Sequence, residues 1–141
     1  MTTEATVDYT IIIPVYYNEG SLKKTYEILA QEVVAKNKPR TAEIIFIDDG
    51  SGDRSFEILE EIQRSSDGLV KLIKLSRNFG QPHARNAGYD YSSGRCVIHL
   101  TADLQDPPEL INEMLDYFFN DGYDIVICNR CLLYTSDAAD E

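Results

Sequence analysis

Thr10-Ile11-Ile12-Ile13-Pro14-Val15-Tyr16-Tyr17-Asn18-Glu19 is the stretch whose reading decides the fold. A β-branched run predicts a short buried strand, and Pro14 with the polar turn after it closes that strand. Leu22, Tyr26, Leu29 and Val33 then recur on one stripe of a helix, which Lys36–Arg40, with Pro39, ends. The same unit repeats along the chain. Glu43–Ile47 is a second strand, stopped by Asp48-Asp49-Gly50. Ser55 is expected to cap a helix that turns Phe56, Leu59 and Ile62 inward. Leu69–Leu75 is a third strand. A helix over Gln81–Tyr91 follows, begun at Pro82 and closed near Gly94. Cys96–Leu100 is a fourth strand. Pro107-Pro108 opens a helix with Ile111, Met114, Leu115 and Phe118 on one face. Gly122 ends it, and Asp124–Cys128 is expected to form a fifth strand. Strands alternating with helices predict an α/β fold, a mostly parallel sheet with helices on both faces.

With 141 residues there is room for one domain, and no internal repeat divides it. The formal net charge of -11 is the wrong sign for a nucleic-acid partner, which requires a basic face. No apolar run reaches the roughly 20 residues of a membrane span. Met1–Asp8 is polar and acidic, expected to be disordered and without a signal-peptide pattern, so the covered chain reads as cytoplasmic. Cys96, Cys128 and Cys131 lack metal-like spacing and imply a reduced compartment. Cys96, Cys128 and His99 read as strand residues of the core, and His83 as a helix-start residue near the candidate site. The last stretch, Cys131–Glu141, has neither strand nor helix periodicity. It resembles the translation of a transposase adapter used in sequencing libraries, so the native domain is expected to span residues 9–130.

The chemistry is expected at the carboxyl ends of the strands, where open α/β sheets bind their ligands. Three polar turns fall there: Pro14–Glu19 after the first strand, Asp48-Asp49 after the second, and Asp103-Leu104-Gln105-Asp106 after the fourth. Acids gathered at one sheet edge suit a cation and its polyphosphate ligand. If Asp103–Gln105 is extended, its two outer side chains point the same way and can face one metal, with Mg2+ or Mn2+ preferring such hard oxygen donors. Asp106, just before Pro107-Pro108, is expected to cap the following helix.

Pro14-Val15-Tyr16-Tyr17-Asn18-Glu19, Asp48–Ser55 (DDGSGDRS), Ser76–Gly88 (SRNFGQPHARNAG) and Ala102–Glu109 (ADLQDPPE) together resemble the family 2 glycosyltransferases. The nearest branch is the polyprenyl-phosphate, dolichyl-phosphate mannosyltransferase-like group. The resemblance runs from about Tyr9 to Arg130. It implies a truncated GT-A fold, a Rossmann-like nucleotide-sugar-binding domain. It also implies a UDP- or GDP-sugar donor, a divalent cation (Mg2+ or Mn2+), inversion at the anomeric carbon, and an acceptor that is a lipid phosphate or a growing glycan, in cell-wall or polysaccharide synthesis. By the same resemblance, Pro14, Val15, Tyr16, Tyr17 and Glu19 line the base and ribose pocket. Asp48 with Asp49 holds the base or ribose, and Arg85 reaches the nucleotide or phosphates. Ala102 and Asp103 lie beside the diphosphate, with Asp103 and Gln105 on the metal. The acceptor-side base and any membrane-associating helices are implied to lie beyond residue 130, which leaves this stretch alone without transfer activity.

Two positions depart from the family's pattern. A second tyrosine enters the usual P-x-Y-N-E, leaving open whether Tyr16 or Tyr17 meets the nucleotide. Thr101 stands where this branch commonly carries the first acid of D-A-D-L-Q, and a neutral hydroxyl is a poorer cation ligand. The remaining alternatives are a non-catalytic sugar-nucleotide-binding module, a sugar-nucleotide pyrophosphorylase and a phosphoacceptor receiver domain. A pyrophosphorylase would place a Gly-rich basic loop after the first strand, where PVYYNE stands. A receiver would place its acid pair there, whereas Asp48-Asp49 follows the second. A dinucleotide-binding domain would carry G-x-G-x-x-G after the first strand, and none is present.

Overall fold

A computed structural model describes residues 7–127. Strands β1 (Val7–Val15), β2 (Ala42–Asp48), β3 (Val70–Lys74) and β4 (Gly94–His99) form one sheet in the order β3-β2-β1-β4. All three strand pairs are parallel. Helices α1 (Leu22–Leu29), α2 (Ser55–Ser65) and α3 (Gln81–Tyr91) fill the three crossovers, α4 (Pro108–Phe119) follows β4, and a π-helical turn over Ala30–Val34 extends α1.

Strand alternation builds two cores. Ile11, Ile13, Val15, Ile44 and Phe46 pack with Leu22, Leu29, Leu59, Ile62, Ile111 and Leu115 on the face covered by α1, α2 and α4. Ile12, Ile45 and Ile47 pack against Ala84 of α3 on the other face. The expected α/β architecture with both faces covered is the one observed. Gly88 lets α3 approach closely, because a side chain there would press on Ile12 and Ile47.

Four local expectations are corrected. Strand β1 begins at Val7, three residues before the expected start at Thr10 and within the Met1–Asp8 stretch expected to be disordered, because Val7 pairs with Gly94, and the Asp8 carboxylate accepts a hydrogen bond from the Thr41 amide. Ser55 does not cap α2. It is the first helical residue, and Asp53 accepts from its amide at 3.0 Å, while the Ser55 hydroxyl accepts from the Asn18 amide at 2.9 Å. Pro107, not Asp106, holds the residue position before α4, and it offers no side-chain capping hydrogen bond. Asp124–Ile127 forms no strand. Ile125 and Ile127 are 77% and 80% exposed, so an apolar run that buries so little of itself gains too little to order a ladder. Cys128 and the Cys131–Glu141 stretch lie outside the described residues, as do Met1–Thr6.

Candidate functional site

In the order β3-β2-β1-β4, chain progression reverses beside β1, and a cleft opens there at the carboxyl edge of the sheet. Its volume is about 420 Å³. The walls come from Pro14-Val15-Tyr16 and Asn18 after β1, Asp49 after β2, Asn78, Gly80 and Gln81 after β3, and Thr101–Asp103 with Gln105 after β4.

The loop after β1 places its two tyrosines differently. Asn18 Oδ1 accepts from the Tyr16 amide at 2.8 Å, and Ser51 Oγ accepts from the Tyr17 amide at 3.0 Å, which fixes the turn at both residues. Tyr16 lines the cleft, while Tyr17, at φ +55°, swings over Gly52, where any side chain would collide with its hydroxyl. The two rings meet edge to face with centroids 4.6 Å apart. Glu19 is exposed and outside the cleft lining, with its amide directed at Asp53.

The neighbouring acids Asp48 and Asp49 have different surroundings. Asp48 is fully buried, does not line the cleft, and neither of its carboxylate oxygens has a partner among the described residues. Asp49 lines the cleft, but its carboxylate is engaged: it accepts from Phe79 N at 2.8 Å, Asn78 Nδ2 at 3.0 Å and Gly80 N at 3.1 Å. Asp49 therefore holds the loop after β3 against the loop after β2. Gly50 completes that contact, since at φ +77° a side chain would run into the backbone of Arg77 and Asn78. Asn78, Gly80 and Gln81 join the site through this loop. Sequence reasoning assigned them no role, although the strand-end rule applied to β3 would have marked Asn78.

After β4 the chain is a turn and not the extended segment expected for Asp103–Gln105. Leu104 N donates to Thr101 O at 3.1 Å, and Leu104 takes φ +49°. The turn still brings the two predicted side chains together, with Gln105 Nε2 donating to Asp103 Oδ2 at 3.1 Å. Thr101 also lines the cleft, and its hydroxyl oxygen is buried without a partner among the described residues. Behind the turn, Thr25 of α1 donates from Oγ1 to the Ala102 carbonyl at 2.7 Å.

Arg85 does not line the cleft. It sits on α3 near His99, where its charge, after burial, helps hold the imidazole below its ordinary pKa. His99 is the last residue of β4, and its Nε2 is buried without a partner among the described residues. His83 is exposed, with its ring 6.4 Å from Phe79. Cys96 is half-buried against the larger core, and burial pushes its thiol up.

Among the described residues no group of three His, Cys, Asp or Glu side chains is arranged to hold a metal. At the turn after β4 the cleft offers the Asp103 carboxylate, the Gln105 amide and the unpartnered Thr101 hydroxyl. This hard, sparse set fits a small divalent cation that draws the rest of its shell from water and ligand phosphate. Among the described residues no helix is long and apolar enough to cross a membrane.

The model of Glycosyl transferase family 2 matches residues 10–134. An uncharacterized glycosyltransferase, YkcC of Bacillus subtilis (strain 168), is 44% identical over 124 residues, 88% of this chain and 37% of the relative. An undecaprenyl-phosphate 4-deoxy-4-formamido-L-arabinose transferase of Edwardsiella ictaluri (strain 93-146) is 40% identical over 118 residues, 83% of this chain and 35% of the relative. The chain thus spans little more than a third of the length of these relatives. Among solved structures, the mannosyltransferase PcManGT from Pyrobaculum calidifontis, in complex with GDP-Man and Mn2+, superposes with a TM-score of 0.68 at 18% identity, covering 84% of this chain and 35% of that one. At that identity the likeness is one of fold, the GT-A fold.

Proposed function

The chain belongs to glycosyl transferase family 2, and from that membership we propose that residues 7–127 are the donor-binding part of an inverting, metal-dependent enzyme. The enzyme would move a sugar from a UDP- or GDP-sugar to a polyprenyl phosphate or a growing glycan. The observation that carries this reading is the cleft itself: an exposed aromatic wall, Tyr16, faces a turn bearing Asp103 and Gln105 across the point where strand order reverses. Relatives named as undecaprenyl-phosphate sugar transferases support the lipid-phosphate acceptor. The fold neighbour solved with GDP-Man and Mn2+ supports the donor and the cation.

In this reading Tyr16 packs against the base or ribose, and the Asp49-held loop closes the side of the pocket with Asn78 and Gly80. Asp103, Gln105 and Thr101 would hold the cation. Bound Mg2+ or Mn2+ would neutralise charge growing on the leaving diphosphate. Among the described residues no lysine or arginine lines the cleft, so none of them brings a positive side chain to that charge. The transfer breaks the bond from the anomeric carbon to the diphosphate oxygen and forms one to an acceptor oxygen on the opposite face, which inverts the centre. The acceptor side is assigned to the part of the relatives that this chain does not span. Calorimetric titration with GDP and UDP in Mn2+ tests the reading. Saturable binding of one or both supports it, and a folded protein that binds neither contradicts it.

A further inference from the structure

The turn that carries Asp103 is fastened at two points. Its root is held by Leu100 N, which donates to Ile12 O at 3.0 Å beyond the last residue of β4. The second point is the 2.7 Å hydrogen bond from Thr25 Oγ1 to the carbonyl of Ala102, the residue directly before Asp103. Both ends of that bond are buried, Thr25 at 3% exposure and Ala102 at 4%. A helical threonine hydroxyl commonly bonds back to a carbonyl of its own helix. Here it crosses to an element 77 residues away. Without it, the Ala102 carbonyl would lose this hydrogen-bond partner inside the protein, and the turn would lose its hydrogen bond to α1.

We propose that Thr25 is a positioning residue for the cation: from α1 it sets the orientation of the Thr101–Gln105 turn and so places Asp103 for metal binding. The inference rests on the donor-and-cation reading above and extends it to a residue outside the cleft. A small divalent cation tolerates little departure from octahedral geometry. With so few protein oxygens to hold it, the placement of the one carboxylate matters more than it would in a site with several acids.

The test is a Mn2+ titration of the full chain with saturating UDP or GDP, well below the melting temperature, for the parent, Thr25→Ser, Thr25→Cys and Thr25→Val. Valine keeps the shape and removes the donor, and loss of such an outer support typically weakens metal affinity by about tenfold or more. Serine keeps the donor and should remain near the parent, while cysteine, a weaker donor, should fall between and serves if valine fails to fold. Val33→Ala, a core truncation one turn beyond α1, controls for general destabilisation and should leave the affinity for Mn2+ unchanged. A Thr25→Val or Thr25→Cys protein that melts earlier but binds Mn2+ as tightly as the parent would overturn the proposal and make Thr25 a packing residue only. A parent chain that binds nucleotide without regard to Mn2+ would instead overturn the donor-and-cation reading and, with it, this inference.

Discussion

Asp49 and Asn78, 29 residues apart, are joined twice: the Asn78 side-chain amide donates to both the backbone carbonyl and the carboxylate of Asp49, at 3.1 and 3.0 Å. The same carboxylate accepts the amides of Phe79 and Gly80, so one side chain organises the β3–α3 connection at the rim of the cleft. In an α/β sheet the strands fix only where loops start. What fixes this loop's path is a charged acceptor from the neighbouring strand.

Asp49→Ala leaves the amides of Phe79 and Gly80 without their acceptor and leaves the Asn78 side chain only its bond to the Asp49 carbonyl. Unmaking such bonds costs about 1–3 kcal/mol, and urea denaturation should show a loss of that size. Nucleotide affinity should fall together with stability, because Asn78 and Gly80 line the cleft. A loss of stability with affinity intact would mean the loop is not part of the ligand site.

Tyr16 and Tyr17 should separate in a binding assay. Stacking a base on an aromatic ring contributes about 1–3 kcal/mol, so Tyr16→Ala should weaken UDP or GDP binding by that order. Tyr17→Ala should weaken it less, since that ring lies over Gly52 outside the cleft lining. Equal losses by calorimetry would return both tyrosines to the pocket.

Glu43 gives the fold a pH dependence. Burial alone would raise its pKa, but hydrogen bonds from Lys71, Thr10 and Ser93 outweigh burial and hold it below the usual carboxylate range. A carboxyl depressed on folding stabilises fully above its unfolded pKa of about 4.3, and that contribution is lost as pH falls through the lower folded value. Glu43→Gln should therefore cost about 1.5–3 kcal/mol near neutral pH, the scale of hydrogen bonds to a charged group. The gap between parent and variant should close below about pH 4. A gap that is independent of pH would remove the charge from the account.

Thr101→Asp should raise the affinity for Mn2+ in the presence of nucleotide. The parent offers a neutral hydroxyl, buried and without a partner among the described residues, where an acid would add charge and a stronger ligand. Tighter Mn2+ binding in a calorimetric titration supports this placement. Unchanged binding would put Thr101 outside the cation's reach.

Much of this site could be read before the fold was seen, for reasons that differ by residue. Tyr16, Asp103 and Gln105 were accessible because a strand ends shortly before each, and chain direction then puts them at one sheet edge. The helix over Gln81–Tyr91 was legible from Pro82 and matches α3 residue for residue. What escaped was conformation that no residue type announces. Leu104 at φ +49° and Tyr17 at φ +55° are left-handed without being glycine, and they are held there by tertiary contacts. The contrast between Asp48 and Asp49 was equally hidden, since adjacent identical residues differ only in which neighbours the fold supplies. Asp124–Cys128 reads as a strand because an apolar run looks the same with or without a ladder beside it.

The central claim is that Asp103 holds the cation on which donor binding depends. It is tested most directly by the melting temperature of the parent and Asp103→Asn with GDP- or UDP-sugar, in Mn2+ and in EDTA. A ligand at a hundredfold excess over its Kd stabilises by about 2.7 kcal/mol, enough to read as a clear shift. The parent should shift upward in Mn2+ and not in EDTA, and Asp103→Asn should shift in neither. An Asp103→Asn protein that keeps the full Mn2+-dependent shift would contradict the account.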